Sequence, residues 1–160
     1  MKKLLALVLM TVMAVALFAG CSDPVYNDLK KFLNTDMADV NLNYEAIVSE
    51  MTVLDRITDD TILENRLRDS LIPLVDSTIT MLDGIAPSTA QVKVLKNKYV
   101  AAMKAYKDGF EKLAEGCATQ DNAIIEAADQ KLVEARALFE IYSDGLKALA
   151  EKVGMKIELE

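Results

Sequence analysis

The sequence predicts an all-α protein: an up-down-up-down antiparallel four-helix bundle that follows a cleaved N-terminal signal peptide. In four stretches after residue 23, apolar residues recur at spacings of three and four, the period of a helix with one buried face. The stretches are separated by a few residues each, and such short connections make neighbouring helices antiparallel. An isolated helix of this kind is only marginally stable in water, so the four apolar faces are expected to pack together.

The N-terminal segment has the layout of an export signal. Lys2 and Lys3 provide positive charge, the residues from Leu4 to Phe18 are apolar apart from Thr11, and two small residues follow. The apolar run is shorter than the roughly 20 residues that a helix needs to cross a bilayer. We therefore expect residues 1–20 to be a signal peptide.

The end of this segment, Leu17-Phe18-Ala19-Gly20-Cys21, resembles the lipobox of bacterial lipoproteins. The resemblance covers the first two dozen residues, and Phe18 departs from the leucine that is usual there. It implies that the Cys21 thiol takes a diacylglycerol and that a further acyl chain, such as palmitate, is often added after cleavage. Two or more chains hold a protein stably on a membrane. The resemblance thus implies a cell-envelope protein on the outer side of the cytoplasmic membrane, or at the outer membrane of a Gram-negative cell.

Residues 21–23 are the predicted tether, and residues 24–154 are the predicted bundle. Pro24 suits the first position of helix one, and Asp28 suits the positive end of the same helix. The apolar stripe of helix one is long. It comprises Tyr26, Leu29, Leu33, Met37, Val40, Tyr44, Ile47, Met51 and Leu54.

Helix two is predicted to open with a capping box over residues 61–64, in which Thr61 would be the N-cap. Pro73 lies inside this helix, so either a kink or a complete break is expected there. The helix ends at Gly84. Its apolar stripe comprises Leu63, Leu67, Leu71, Leu74, Thr78 and Met81.

Helix three is predicted to open with a second capping box over residues 88–91, and helix four to stop at Gly154. Cys117 continues the stripe of helix three and is expected to be a buried thiol. Residues 155–160 are a C-terminal tail of no clear class. The helix-three stripe comprises Val92, Leu95, Tyr99, Met103, Tyr106, Phe110, Leu113 and Cys117. The helix-four stripe comprises Ile125, Ala128, Leu132, Ala135, Phe139, Tyr142, Leu146, Leu149 and Val153.

Composition argues against several classes of function. Without Lys2 and Lys3 the chain has 16 basic and 25 acidic residues, a net charge of −9, which disfavours a nucleic-acid partner. The chain has no histidine, so the usual haem, zinc and di-iron ligand sets are missing and neither cofactor nor metal is expected. No nucleophile–base pair and no phosphate loop is evident, so we do not expect an enzyme.

Two groups of residues are candidates for ligand binding. Lys93, Lys96, Lys104 and Lys107 occupy one sector of helix three and either bind an anionic ligand or pair with acidic flanks of neighbouring helices. Tyr99 and Tyr106 lie on the stripe of the same helix. The small residues Ala128 and Ala135 in helix four either leave room beside these tyrosines for an apolar or aromatic ligand or simply allow close packing.

The leading functional hypothesis is a non-catalytic envelope lipoprotein with a structural or protein-interaction role. Its partners would be the membrane, through the lipid on Cys21, and another envelope protein. The alternative is a ligand-binding bundle, which uses either the tyrosine-lined interior or the lysine flank. A well-formed internal cavity favours the alternative, and a filled core favours the leading hypothesis.

Replacement of Cys21 by alanine tests the anchoring hypothesis. The variant is expected to lose both acyl labelling and membrane attachment, because the acylated thiol is absent. Fractionation of cells that express either form is the measurement. Tight membrane association of a cleaved Cys21→Ala product would contradict the hypothesis.

Overall fold

The computed structural model describes Val12–Met13 and residues 23–159, and outside one short strand pairing the regular structure is helical. This confirms the all-α class. In chain order the α-helices of the described residues are α1 (Pro24–Lys31), α2 (Ala38–Leu54), α3 (Asp60–Arg66), α4 (Ile72–Gly84), α5 (Ala90–Thr119) and α6 (Asn122–Lys152). Strands β1 (Val12–Met13) and β2 (Glu158–Leu159) pair antiparallel. Cys21 and, apart from β1, the predicted signal peptide lie outside the described residues.

The first two predicted helices are each divided by a π-helical turn. Phe32–Asp36 joins α1 to α2, and Leu67–Leu71 joins α3 directly to α4. A π turn contains more residues than an α turn. Apolar residues spaced four apart therefore stay on one face through a π turn, whereas in a regular α-helix they would rotate around the helix axis. The stripe of helix one is accordingly buried from Leu29 to Leu54, and Phe32 is buried with it.

The second π turn shifts the buried face of α4 by one residue. Val75 and Leu82 are fully buried, whereas the predicted stripe residues Leu74 and Met81 are partly buried and exposed, respectively. Of the residues predicted for this stretch, Thr78 is fully buried and Leu74 partly buried, and the prediction is wrong for Met81 because it assumed an uninterrupted α-helix. Pro73 does not break the helix, since it is the second residue of α4, where a missing N–H is tolerated.

Neither predicted capping box forms. Asp59, not Thr61, caps α3, because its carboxylate accepts a hydrogen bond from the Ile62 N–H at 2.9 Å. At α5 the N-cap is Thr89, and its side chain makes no capping bond to its own helix. The first prediction is wrong because the preceding Asp59 supplies the cap, and the second because no side chain of the described residues binds the first-turn N–H groups of α5.

Asp28, on α1, binds the two residues that precede α5, Ser88 and Thr89, and we call this contact the Asp28 cap. Its two carboxylate oxygens accept hydrogen bonds from the Ser88 N–H at 3.0 Å and the Thr89 N–H at 2.8 Å, and the Thr89 hydroxyl donates a third at 2.6 Å. Asp28 was predicted to stabilise the positive end of its own helix, α1. It instead binds the residues at the start of α5. The starts of α1 and α5 therefore lie at the same end of the molecule.

Helices α5 and α6 form an antiparallel hairpin with an unusually close approach. A β-carbon built on Gly109 would lie 2.6 Å from Leu132 Cδ2. One built on Gly116 would lie 2.7 Å from Ile125 Cγ1 and 3.0 Å from the Ile125 backbone nitrogen. Each glycine and its partner are equally distant from the Gln120–Asp121 turn, so one register explains both contacts.

Small buried residues extend this contact along both helices. Ala102, Gly109 and Gly116 repeat every seven residues on α5, and Ala128 and Ala135 do so on α6. We call these five residues the small-residue seam. Their spacing keeps them on one face of each helix, where they allow the two backbones to pack closely.

The C-terminal tail begins as part of the core. Gly154 adopts a positive φ of 72°, and the Met155 N–H then donates to the Ala150 carbonyl at 2.8 Å, as is usual where a helix ends. Met155 is buried and Ile157 packs against the core. The tail therefore covers the last turn of α6.

Substitution of Gly116 by alanine tests the seam. We expect the free energy of unfolding to fall by about 1–2 kcal/mol, because the added methyl meets backbone atoms of α6 and the better helix propensity of alanine only partly compensates. Urea unfolding followed by circular dichroism is the measurement. Gly84→Ala is the control: no atom lies within 4 Å of its built β-carbon, so stability should stay the same or rise by up to about 1 kcal/mol. Equal effects of the two substitutions would contradict close packing at the seam.

Asp28→Asn tests the cap between α1 and α5. An amide has one acceptor oxygen, whereas the carboxylate uses two. We therefore expect the free energy of unfolding to fall by about 1–2 kcal/mol at neutral pH. Asp83→Asn, at an exposed position, is the control.

The same cap predicts a pH dependence. Burial acts to raise the pKa of Asp28, but hydrogen bonds from Thr89 and Ser88 outweigh it and hold the pKa below its usual value of 3.8. The cap therefore contributes fully above that value and is lost as the pH falls through the lowered pKa. Unfolding curves from ~pH 6 to ~pH 2 should show the wild type approaching the stability of Asp28→Asn. A difference that persisted at the acidic end would contradict this role.

Candidate ligand-binding cavity

A partly enclosed cavity of about 240 Å³ lies between α2, α3 and the α5–α6 hairpin. Its apolar lining comes from all four helices, from the second π turn and from the loop after α2. These residues are Met51, Leu54, Ile57, Leu63, Leu67, Phe110, Leu113, Ile125, Leu132 and Val133. Its polar lining comprises Asp55, Thr58, Asp60, Tyr106, Asp129 and Arg136. An apolar interior with a few polar groups is the usual composition of a small-molecule site.

The polar groups are spread over the walls of the cavity. Tyr106 is buried, and its side chain is hydrogen-bonded to Arg136. Burial raises the pKa of the Tyr106 phenol and the neighbouring guanidinium lowers it, with a net value of about 12, so the phenol is neutral at physiological pH. Burial and the nearby Glu126 raise the pKa of Asp129. Asp55 is exposed and lies at the rim.

An ion pair between Glu50 and Arg66 lies next to two of the lining residues. Glu50 is buried and accepts hydrogen bonds from both Nε and Nη2 of Arg66, the latter at 2.9 Å. Met51 and Leu67, the next residues in the chain, line the cavity. The two-point contact between carboxylate and guanidinium joins α2 to α3 beside the cavity.

A second polar contact, between α2 and α4, lies closer to the starts of α1 and α5 than the Glu50–Arg66 pair does. The Asn43 side-chain amide donates to the Leu74 carbonyl and to the Thr78 hydroxyl, both at 2.8 Å. Thr78 is fully buried, and its hydroxyl also donates to the Leu74 carbonyl at 3.0 Å. This contact joins α2 to α4.

Tyr99, one of the two predicted tyrosine sites, belongs to a filled aromatic cluster. Its ring stacks on Tyr142 with centroids 4.6 Å apart and meets Phe139 edge-on at 5.5 Å, and Phe139 stacks on Tyr44 at 5.8 Å. Burial raises the pKa of Tyr99 well above its usual value. The structure thus separates the two predicted residues: Tyr106 lines the cavity, and Tyr99 fills the core beside it.

The hydroxyl of Tyr44 is buried and has no hydrogen-bond partner among the described residues. Burial raises the pKa of Tyr44, and the neighbouring Tyr106 adds to the effect. The two phenols are therefore close to each other.

The four predicted lysines do not form one exposed surface. Lys93 and Lys104 are exposed, whereas Lys96 is buried and its Nζ donates to the Ile85 carbonyl at 3.2 Å. Lys107 pairs with Asp76 of α4 at 2.7 Å and with Glu111 at 3.6 Å. For Lys107 this favours the alternative in which the lysines pair with acidic residues of neighbouring helices.

Cys117 is buried, as predicted, and burial raises the pKa of its thiol. Within the described part of the chain, no three acidic or sulfur-bearing side chains are grouped so that they could hold a metal ion. No helix among the described residues is both long enough and apolar enough to cross a membrane.

Asp129 and Arg136, which line the cavity, were not predicted from the sequence. Each directly follows an alanine of the seam, Ala128 or Ala135, so each is a charged residue at the edge of the helix-four stripe. Charged residues at such edges are usually solvated, and the sequence alone does not distinguish those that border a cavity.

The chain was compared with protein-family models, with curated proteins and with solved structures, and none of the three comparisons finds a match.

Proposed function

We propose that this chain is a lipid-anchored protein of the bacterial envelope and that its helical domain binds a small, largely apolar molecule without catalysing a reaction. The cavity between α2, α3 and the α5–α6 hairpin carries the proposal. Anchoring on the membrane through acylated Cys21 rests on the resemblance of residues 17–21 to a lipobox.

The size of the cavity indicates the size of the ligand. An apolar cavity of about 150 Å³ is large enough to bind benzene, and sites for drug-sized molecules begin at about 300 Å³. At about 240 Å³ the cavity lies between the two. We therefore propose a ligand larger than benzene and smaller than a typical drug molecule, with an aromatic or branched apolar body.

We further propose that the mature domain is an up-down-up-down four-helix bundle. The four helical segments of the bundle would be α1–α2, α3–α4, α5 and α6, and each of the first two contains a π turn. The antiparallel α5–α6 contacts and the hydrogen bonds from Asp28 to the start of α5 support this arrangement.

The position of the anchor relative to the cavity would determine from which side the ligand reaches the cavity. Ser22 and Asp23 alone separate Cys21 from α1, so the start of α1 would stay within roughly 10 Å of the lipid. Phe110 lies 20 residues into α5, which corresponds to about 30 Å along the helix axis. If the bundle stands upright, the cavity would face the aqueous side and not the acyl chains.

A structural or protein-interaction role, the leading hypothesis from the sequence, is the competing proposal. Exposed apolar residues such as Leu42, Ile62 and Val133 are compatible with a protein partner, but single exposed apolar residues are common on protein surfaces. The cavity favours ligand binding because a bundle that serves only as a scaffold has no need of it.

Leu63→Trp tests the binding proposal, because a larger side chain at this lining position would occupy the cavity. In the full chain in nanodiscs of neutral lipid, we expect saturable, single-site binding of indole that this variant weakens at least about tenfold, or 1.4 kcal/mol. Calorimetric titration with empty nanodiscs subtracted is the measurement.

Leu42→Trp is the matched control: Leu42 is 65% exposed, and it is absent from the cavity lining. It should leave the affinity unchanged. Absence of saturable binding of indole, naphthalene and isobutylbenzene to the wild type would make the structural or protein-interaction role the better account.

A further inference from the structure

The polar lining of the cavity carries more negative than positive charge. Three of its side chains are carboxylates, and one, that of Arg136, is a guanidinium. The carboxylates come from three different elements: Asp55 directly follows α2, Asp60 is the first residue of α3, and Asp129 lies on α6. A charged group of a ligand in this cavity would therefore be surrounded mainly by negative charge.

The positive charge of Arg136 is already engaged. Its guanidinium is hydrogen-bonded to the phenol of Tyr106 and lowers the pKa of that phenol, and Glu140 acts on the same group. Seven residues, or about 10 Å along α6, separate Arg136 from Asp129. Among the described residues, the influences on the pKa of Asp129 are burial and Glu126, and Arg136 is not one of them. The guanidinium therefore does not neutralise this carboxylate.

The three carboxylates have no cation within ion-pair distance in the part of the chain that the structure describes. Asp55 is the C-cap of α2, so its charge adds to the negative end of that helix. Asp129 is half-buried, and burial raises its pKa because it disfavours the charged form. A cation beside Asp129 would offset the unfavourable burial of this carboxylate.

An organic cation suits this lining better than a metal ion does. Among the described residues, no three acidic or sulfur-bearing side chains are grouped so that they could hold a metal ion. The rest of the lining is largely apolar. An amine with an apolar body would use both the carboxylates and the apolar surface.

We propose that the ligand of this cavity is a small amine with an aromatic or branched apolar body. Its ammonium group is bound by Asp129, and the charges of Asp55 and Asp60 add to the attraction. This inference rests on the proposed binding function and adds the chemical class of the ligand. It also assigns Asp129 as the residue that determines specificity for the positive group.

The residues around Asp129 supply the surface for the apolar body. Residues three and four apart on a helix are neighbours. Ile125, Leu132 and Val133 are such neighbours of Asp129, and all three line the cavity. Leu132 also packs against Gly109 of α5. An ammonium group bound at Asp129 therefore has apolar side chains directly beside it, against which the body of the ligand can pack.

Three probes that share a phenylbutyl body and differ in the terminal group test the inference. They are 4-phenylbutylamine, 4-phenylbutan-1-ol and 4-phenylbutanoate, titrated calorimetrically into the full chain in nanodiscs of neutral lipid, with empty nanodiscs subtracted. We expect the amine to bind about tenfold more tightly than the alcohol, because a charge-assisted hydrogen bond replaces a neutral one. The carboxylate should bind most weakly, since the aspartates repel it.

Asp129→Asn removes the charge with little change of shape. It should reduce the preference for the amine over the alcohol at least about threefold and leave the affinity for the alcohol unchanged. Asp144→Asn is the matched control, because it makes the same change at an exposed position of α6 that is absent from the cavity lining, and it should leave the preference intact. If Asp129→Asn fails to fold, Asp60→Asn replaces it with the same expected loss.

Leu63→Trp distinguishes binding in the cavity from collection of the amine on the acidic surface of the chain. A larger side chain in the cavity should weaken the binding of amine and alcohol alike, by at least about tenfold. Unchanged binding of the amine to this variant would show that the amine binds elsewhere and would overturn the inference.

The outcomes separate this inference from the proposed function. Equal affinities of the wild type for amine and alcohol, or tighter binding of the carboxylate, would overturn the inference and leave ligand binding standing. Binding of none of the three probes would overturn both. An unchanged preference in folded Asp129→Asn, or in Asp60→Asn where it is the replacement, would overturn the assignment of the ammonium site. A similar loss in Asp144→Asn would do the same, because the preference would then reflect only the net charge of the chain.

Discussion

The close approach of α5 and α6 is the constraint on which the rest of the structure depends. Two glycines face side chains and backbone of α6 at distances that leave no room for a β-carbon, and alanines continue the contact away from the α5–α6 turn. Tight packing of this kind fixes the register of the hairpin, since a shift along either helix would bring larger residues into the seam. The hairpin thereby provides a rigid wall against which the shorter helices pack.

The cavity follows from the way the shorter helices are held against this wall. Asp28 fixes α1 to the start of α5, and the Glu50–Arg66 pair fixes α2 to α3 on the other side of the cavity. The aromatic cluster around Tyr99 and Phe139 fills the space between α2 and the hairpin closer to the starts of α1 and α5. Beyond it, toward the α5–α6 turn, the lining residues enclose a space that their side chains leave open.

Much of this fold could be predicted from periodicity, because burial on one face is a local property of a helix. The stripes of α2, α5 and α6 are buried or partly buried as predicted. In α4, Leu74 and Thr78 also follow the prediction, but Leu82 is buried in place of Met81, because the helix follows a π turn that no three- or four-residue count reveals. The Asp28 cap before α5 could not be found locally, since Asp28 is 60 residues away from Ser88. Of the candidate site, Tyr106 was predicted, but Arg136 was not, because a charged residue beside a stripe acquires its role only from the helices that pack next to it.

Methyl-resolved NMR with xenon as an apolar probe tests the central claim most directly, because xenon enters dry apolar cavities without requiring a particular functional group. A defined cavity predicts saturable shift changes at cavity-lining methyl groups such as those of Leu63 and Leu132. No changes are expected at Val92 and Leu146, which are fully buried and absent from the cavity lining. Shift changes spread evenly over buried methyl groups, or absent from all of them, would contradict the claim that a rigid hairpin and the shorter helices enclose a defined binding cavity.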